Sequence, residues 1–403
     1  MTDAPLEDAP YSGLQTAAAA VRSPERTVAQ PLAAPLVVRP VLLPDEAMKV
    51  IRFPWRVYRD DRHWVPPLIF ERKAFLDPAK NPYLQLADVQ FFVAERGGEV
   101  VGTISAHVDH GYQQVEPGVG FFGFFEFLED SEVAASLFRA ATGWLRSRGM
   151  TVLRGPFNFN ANHECGLLVD GFGGDPVVYM THNPSYYPAV YEQLGLVKAR
   201  DLLAYWKDVE PISPRLLAAA DWFARRHPEV RIRPVDSANF RAELDLFKSI
   251  YNDAWEDNWG FVRFTDAEFE KVAEGLRPMI DPRLCYVAEV DGDPAAFSLT
   301  LRDFNQVVKP MNGRRFPLGW WYWLTLRGRV RTARIFALGV RKQYQHLPIG
   351  LPLYLRTWEA ALALGLTGAE AGWVLEDNHR MRGLLEKVGA RVYRTYRIYE
   401  API

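Results

Sequence analysis

Cysteine is scarce in this chain: Cys165 and Cys285 are its only two. They cannot build a disulfide framework, and a reducing compartment suits them. Long apolar runs are missing as well, and none approaches the roughly 20 residues that cross a bilayer. The N-terminus shows no basic stretch leading into an apolar one, so no secretory leader is expected. Nor is there an excess of positive charge. Lys and Arg total 47 against 49 Asp and Glu, a net charge of −2. That balance argues against nucleic acid as the main partner, because phosphate backbones demand a basic surface. The expectation is a cytoplasmic protein with no nucleic-acid partner.

What is present is an ordinary globular mixture, 48% hydrophobic and 24% charged, spread over 403 residues. One core rarely serves that length, so two domains are expected. Residues 1–36 are rich in Ala, Pro, Ser and Thr and read as a disordered tail. From Leu36 onward strand and helix patterns follow one another. A strand at 36–41 precedes helical turns over 45–59 and an ordered, irregular loop over 61–83. Two alternating runs around Gly97-Gly98 then make a β-hairpin. A third strand, Gly120–Phe127, leads into a helix from Ser131, with Ser131 as its N-cap. A strand at 151–155, a helix near 186–194 and a strand at 199–206 complete the half. The second half replays this order: strand 230–234, helix 239–253, a hairpin about Asp291-Gly292-Asp293, strand 334–340, helix 351–364, strand 369–375, helix 379–388 and a last strand from Val392. The repeat lies in element order and predicts two related domains, 37–208 and 230–403, joined by a helical linker over 209–229.

The segment Arg334–Arg356 (RIFALGVRKQYQHLPIGLPLYLR) runs from a strand through a loop into a helix. A helix start offers backbone N–H groups and the positive end of a dipole, a natural seat for a diphosphate. After the next strand comes Glu376-Asp377-Asn378-His379, then a helix ending Glu386-Lys387-Val388-Gly389-Ala390. This resembles the closing motif of the GNAT acyltransferase superfamily, and the loop before it resembles that superfamily's pyrophosphate loop. Gln345 and Gly350 fit the loop's first and last positions, whereas Pro348 stands where its first glycine belongs and lacks an N–H. Asn183–Leu196 is similar to the closing motif in the first half. There Glu126, Glu129 and Asp130 lead into the helix in place of a glycine loop and would repel a diphosphate, so only the second half is expected to bind coenzyme A. The tyrosine that the superfamily uses to protonate a departing thiolate appears as Tyr191 in the first half, and Leu385 replaces it in the second.

Gly155–Phe172 (GPFNFNANHECGLLVDGF) and Asn252–Phe261 (NDAWEDNWGF) resemble segments of a family of bacterial tandem GNAT proteins that includes bacterial ceramide synthases. The resemblance implies an α/β fold of two GNAT-like domains in tandem, each a mixed, mostly antiparallel sheet flanked by helices. It further implies acyl-CoA-dependent N-acylation of a long-chain sphingoid amine such as 3-ketosphinganine or sphinganine. Acyl-CoA would be a co-substrate with no permanently bound cofactor and no metal, and an acyl carrier protein is the alternative donor. Such an enzyme needs its substrate from the bilayer, so peripheral contact with the inner membrane is expected. Two rivals stand beside this reading: acylation of a small amine, amino acid or peptide, and a non-catalytic acyl-CoA or lipid sensor. A long apolar tunnel would favour the lipid, and a short polar cleft the small amine.

Amine acylation requires a base, because an ammonium has no lone pair with which to attack a thioester. Glu164 or His163 could take that proton; Glu126, in an apolar strand, and Glu376, at a strand end, are further candidates, each equally explained by an ion pair. Tyr191 is the candidate acid. Leu338, Val340, Arg341, Gln345, Pro348, Gly350 and Asn378 are expected to hold the coenzyme. Asn158, Asn160, Asn162, Trp255 and Trp259 are expected to hold the acceptor. A polar turn and core packing account for the asparagines and tryptophans equally simply. The basic run of Lys309, Arg314, Arg315, Arg327, Arg329, Arg331, Arg334 and Arg341 encloses Trp320-Trp321-Tyr322-Trp323. It reads as a membrane-facing segment or as a buried aromatic strand followed by a basic loop.

Overall fold

Each half opens with a hairpin whose turn is set by backbone conformations that glycine adopts freely. Gly97 and Gly98 have φ of 60° and 82°, and Asp291 and Gly292 have 51° and 89°, as tight hairpin turns between twisted strands require. The register follows: Ala87 faces Asp109 in the first hairpin, and Tyr286 faces Ser298 in the second.

The computed structural model describes residues 34–403, so nearly all of the tail expected over 1–36 lies outside the described residues. In the first half the strands are β1 (Leu36–Val41), β2 (Ala87–Arg96), β3 (Glu99–Asp109), β4 (Val119–Phe127), β5 (Val152–Gly155), β6 (Phe157–Asn158), β7 (Glu164–Cys165), β8 (Leu167–Asp170) and β9 (Val197–Asp208). Its helices are α1 (Ala47–Arg52), α2 (Pro54–Val57), α3 (Ile69–Phe75), α4 (Ser131–Arg146) and α5 (Tyr187–Gln193). Helix α6 (Pro214–Arg226) connects to the second half. There the strands are β10 (Val230–Pro234), β11 (Tyr286–Val290), β12 (Asp293–Arg302), β13 (Thr332–Val340), β14 (Gly368–Leu375) and β15 (Arg391–Pro402). Its helices are α7 (Phe240–Trp255), α8 (Asp266–Leu276), α9 (Asn305–Val308), α10 (Gly319–Leu326), α11 (Gly350–Ala363) and α12 (His379–Lys387).

One 13-stranded sheet runs β1-β2-β3-β4-β5-β15-β9-β14-β13-β12-β11-β10, with β8 bonded to β15 beside this path, and β6 and β7 pair apart as a small hairpin. Two pairs are parallel, β4 with β5 and β13 with β14. All other neighbours are antiparallel, so the sheet is mixed and mostly antiparallel. The two halves supply β1–β5 and β10–β14 in matching order, and each then gives its last strand to the other. Strand β9 pairs with β14, β15 pairs with β5, and the two exchanged strands pair with each other at the centre. The ranges 37–208 and 230–403 are thus interleaved at their last strands, and Leu36–Ile403 forms one compact unit.

The sequence expectations need four local corrections. The loop over 61–83 contains α3. Helix α4 is capped by Asp130, not Ser131: its carboxylate accepts from the N–H groups of Glu132 and Val133 at 3.0 and 3.2 Å. Helix α8 was not anticipated, although Thr265 and Glu268 form a capping box at its start. The tryptophan run Trp320–Trp323 is helical, not a buried strand.

Candidate active site

The two parallel pairs are where the sheet opens. Strand β13 pairs with β12 from Ala333 to Val340, but with β14 only from Thr332 to Ile335. Beyond Ile335 the two strands splay apart, which leaves the β14-facing edge of β13 without a strand neighbour. Phe336, Leu338 and Val340 on one side and Gly372, Trp373 and Leu375 on the other line the resulting space. Arg334 sits where the splay begins, 2% exposed, and donates to the carbonyls of Gly372 and Val178 at 2.8 Å each. Glu370, fully buried, stands 3.5 Å from it and accepts from Tyr393. Arg334 therefore belongs to the core and not to the basic surface run, whereas Arg341 is half-buried with its guanidinium spent on the Pro294 carbonyl and Ser249.

The matching splay in the first half is plugged. Strand β4 pairs with β5 only from Val119 to Phe121. Past that point Asn158 accepts from the N–H of Phe124 at 2.8 Å, and Tyr187 accepts from the N–H of Phe127 at 2.9 Å. Protein groups thus occupy the edge of β4 that its partner strand leaves open.

A single cavity of about 2430 Å³ spans both halves and includes the open splay. Ordinary small-ligand pockets measure about 300–1,000 Å³. Phe247, Phe261, Phe264, Phe269 and Val272 from α7, α8 and the segment between them supply much of the apolar wall. The polar groups converge from the first half.

A bulge aims Glu126 into this space. Thr103 faces Glu126, but Ser105 faces Gly123, so β4 carries one extra residue at this point. Phe124 absorbs it with φ of 45°, a conformation non-glycine residues adopt at some cost and one concentrated at functional sites. Thr103 Oγ1 donates to the Phe124 carbonyl at 2.9 Å and Asn158 takes its N–H, so the bulge is clamped from both sides. The Glu126 carboxylate accepts from Tyr187 at 2.8 Å and from Tyr58 at 3.0 Å. Burial raises its pKa to about 7, although both hydroxyls favour the ionised form.

Glu164 lies beside this group. Burial alone would raise its carboxyl, yet the Arg72 guanidinium bonded to it holds it below the ordinary range. Asn158 Nδ2 donates to Glu164 Oε2 at 3.1 Å, so one asparagine joins the bulge to this ion pair. His163 follows a different logic. Asn160 Oδ1 accepts the Asn162 N–H at 3.0 Å, and its Nδ2 donates to Asp109 at 3.1 Å. These two bonds fix the amide's orientation, so His163 Nδ1, 2.9 Å from that oxygen, carries the proton. Burial lowers the imidazole to about 4. The ring is neutral near pH 7, and Nε2 keeps its lone pair. Cys165 also lines the cavity, and burial pushes its thiol up to about 12, far from a thiolate.

Asn162 bridges the halves: it accepts from Tyr251 at 2.9 Å and donates to the Val262 carbonyl at 3.0 Å. Trp255 stacks on Tyr251 with centroids 4.7 Å apart, and Trp259 lies over Arg154 and Arg200 at 5.2 and 5.4 Å. Both tryptophans face the cavity, as do Asn158 and Asn162, whereas Asn160 is buried behind His163.

On the β13 side Leu338, Val340, Gln345, Pro348, Gly350 and Asn378 line the cavity, and Arg341 does not. Gln345 bonds the Val340 carbonyl and accepts from Arg380 at 3.0 Å. Asn378 caps α12 by accepting from Met381 at 3.0 Å. Pro352 inside the first turn of α11 removes a second donor beyond Pro348, so Gly350 and Leu351 supply the free N–H groups of that helix start.

Two candidates fall elsewhere. Glu376 forms a surface strut with Lys198 at 2.6 Å and the Asp201 N–H at 3.1 Å. Tyr191 is packed in the first core between Phe122, Phe125 and Tyr399 and is 1% exposed. Sequence reasoning missed Tyr58, Tyr187, Arg72 and Asp109. It also missed His182, whose Nε2 lies 2.7 Å from Asp61 on the cavity wall. A carboxylate in the apolar run 121–127 signals that partners exist, but nothing local identifies them.

Comparison with known proteins follows the same line. No protein-family model matches the chain. It is 40% identical over 378 residues to the bacterial ceramide synthase of Caulobacter vibrioides, covering 91% of this chain and 97% of that protein. It is 37% identical over 376 residues to protein YghO of Escherichia coli, covering 91% and 95%. Among solved structures it resembles a tandem GNAT protein from the clavulanic acid biosynthesis pathway, with TM-score 0.54, 13% identity, and 91% and 98% of the two chains covered. A GCN5-related N-acetyltransferase from Sphaerobacter thermophilus gives 0.50, 13%, and 91% and 95%. The fold is the tandem GNAT fold.

Proposed function

This chain belongs to the bacterial ceramide synthase family, and from that premise we propose that it transfers an acyl group from acyl-CoA to the amino group of a long-chain sphingoid base. Membership makes it an N-acyltransferase. The observation that carries the substrate class is the cavity: about 2430 Å³, walled by apolar side chains, and continuous from the open splay to the polar groups of the first half. A small amine needs a fraction of that space, whereas a long acyl chain and a long-chain base both find room in it.

Acyl-CoA lies along the free edge of β13, its amides bonding as an added strand does. Its diphosphate sits at Gly350 and Leu351 with Arg380 near. The backbone N–H groups of Leu338 and Val340, which alternate away from β12, polarise the thioester carbonyl. The amine, as its neutral form, attacks that carbon, and a proton passes to a group on the first half. Glu126, with its pKa near 7, is matched to this task. His163, neutral with a free Nε2, is the second candidate. Glu164, held ionised by Arg72, orients Asn158 and the acceptor. Collapse of the tetrahedral intermediate breaks the C–S bond, and the thiolate leaves with a proton. Tyr354 on α11, which lines the cavity beside Leu385, supplies that proton in place of Tyr191. The enzyme works in the cytoplasm and contacts the inner membrane peripherally, with acyl carrier protein as the rival to coenzyme A as donor.

Thiol release from short- to long-chain acyl-CoAs, with and without a sphingoid base, tests this reading. Release and N-acyl product with the long-chain base alone would support it. Equal turnover of small amines would replace the acceptor. Tight acyl-CoA binding without release for any amine would make the protein a sensor.

A further inference from the structure

From Phe304 to Trp358 the sequence contains no Asp or Glu. Within that stretch α10 and the loop before it push large apolar groups into solvent. Phe316 is 72% exposed, Leu318 56%, Leu324 55%, Trp321 53% and Trp320 52%. A soluble surface scatters such residues singly, and a contiguous group marks a contact surface. Around it stand Arg314, Arg315, Arg327, Arg329 and Arg331, all exposed. Among the described residues none of these five is in an ion pair, whereas Lys309 nearby is tied to Asp175 at 2.6 Å. Arg315 instead lies over the ring of Phe70, 5.7 Å from its centroid. The helix is two-faced in function as well. Trp320, Trp321 and Leu324 point to solvent, while Trp323 packs on Phe304 at 4.9 Å and lines the cavity.

We propose that α10 and its preceding loop dock on an anionic lipid surface, and so set the cavity wall at Trp323 against the bilayer that holds the long-chain base. Exposed tryptophans settle at the headgroup level and unpaired arginines draw in anionic headgroups. The absence of acidic side chains from the segment removes the repulsion that such a surface would meet. A protein partner of equal apolar area needs no such charge bias, which is why the lipid surface is the occupant. The lateral-access part rests on the sphingoid-base reading; the docking part does not.

The test uses the full chain and vesicles of phosphatidylcholine alone or mixed with phosphatidylglycerol. Co-sedimentation is expected with the mixed vesicles, falling with salt, and little with the neutral ones. Trp320→Ser with Trp321→Ser should abolish it, and Arg327→Ala and Arg329→Ala should each weaken it roughly five-fold. Neither tryptophan lines the cavity, so turnover of a base dispersed in detergent should stay at the wild-type rate. Turnover of the same base embedded in mixed vesicles should fall together with binding. Equal binding to neutral and mixed vesicles, no binding at all, or unchanged binding by the tryptophan variant would each overturn the proposal. Vesicle binding is read without any acyl transfer, so a chain that binds but acylates no amine would sink the sphingoid-base reading and leave docking standing.

Discussion

Trp255 lies across the backbone of Gly339 so closely that a Cβ on Gly339 would stand 2.3 Å from the indole ring. One residue belongs to the strand edge assigned to the thioester and the other to the helix that walls the acceptor side. The contact joins the two substrates' regions through a single missing methyl group. Gly339→Ala should push the indole off the strand, costing about 1–3 kcal/mol by overpacking. Thermal melting and the KM for acyl-CoA check this: Tm should fall and KM should rise.

The two cavity carboxylates are separable by pH. Glu126 titrates at about 7 in the fold against 4.5 ordinarily, whereas Glu164 is held below its ordinary value. If Glu126 accepts the amine's proton, kcat should rise with a limb near pH 7, and Glu126→Gln should remove the limb and lower kcat by about 10²–10⁴. A limb at or below pH 4.5 that survives this change would transfer the role to Glu164.

The same shift predicts a stability effect of opposite sign to the activity loss. A raised carboxyl favours the fold while protonated, fully below pH 4.5, and that contribution is lost as pH rises through 7. Above pH 7 the wild type carries an ionised, desolvated group that the amide variant lacks. Glu126→Gln should therefore be more stable there, by up to about 3 kcal/mol, and denaturant titrations at pH 5 and pH 8.5 would reveal it.

Asn158 holds the Phe124 bulge with its oxygen and Glu164 with its nitrogen. Asn158→Ala should leave the Phe124 N–H without a partner and Glu164 with Arg72 alone, at about 1–3 kcal/mol. It should also lower kcat more than it raises KM, because the proposed mechanism gives the groups it aims a part in the chemistry and not in holding substrate. Steady-state kinetics beside a melting curve separates the two effects.

Glu370 and Arg334 form a buried pair where β13 and β14 part. Glu370→Ala strands the guanidinium and should destabilise the protein by about 3–5 kcal/mol. Replacing both residues with methionine should recover most of that loss, as read in urea unfolding.

Much of the secondary structure was legible because glycines mark its turns: Gly97-Gly98, Gly149, Gly195, Gly292, Gly365 and Gly389 all have positive φ where elements end. Helix α10 was not legible, since four aromatics in a row carry no helical period. Strand partners were not legible either. Alternation identifies β9 and β15 as strands but cannot say that each joins the other half. The site was read unevenly for the same reason. Asn158 to Glu164 stand within one short stretch and were found together. Tyr58 and Tyr187 lie 68 and 61 residues from Glu126 and no spacing announces them. Tyr191 was placed by motif alone, yet α5 turns it into the core beside Tyr187. Arg334 was counted with its basic neighbours because composition does not report which face of a strand a side chain takes.

The exchange of β9 and β15 sets an order on birth as well as on structure. Leu153 waits opposite the place of Ala401 while nearly the whole remaining chain is synthesised. Until β15 arrives, β5 and β9 present bare edges that invite pairing with other nascent chains. A ribosome that stalls late would release a product with every proposed catalytic side chain but no centre to its sheet.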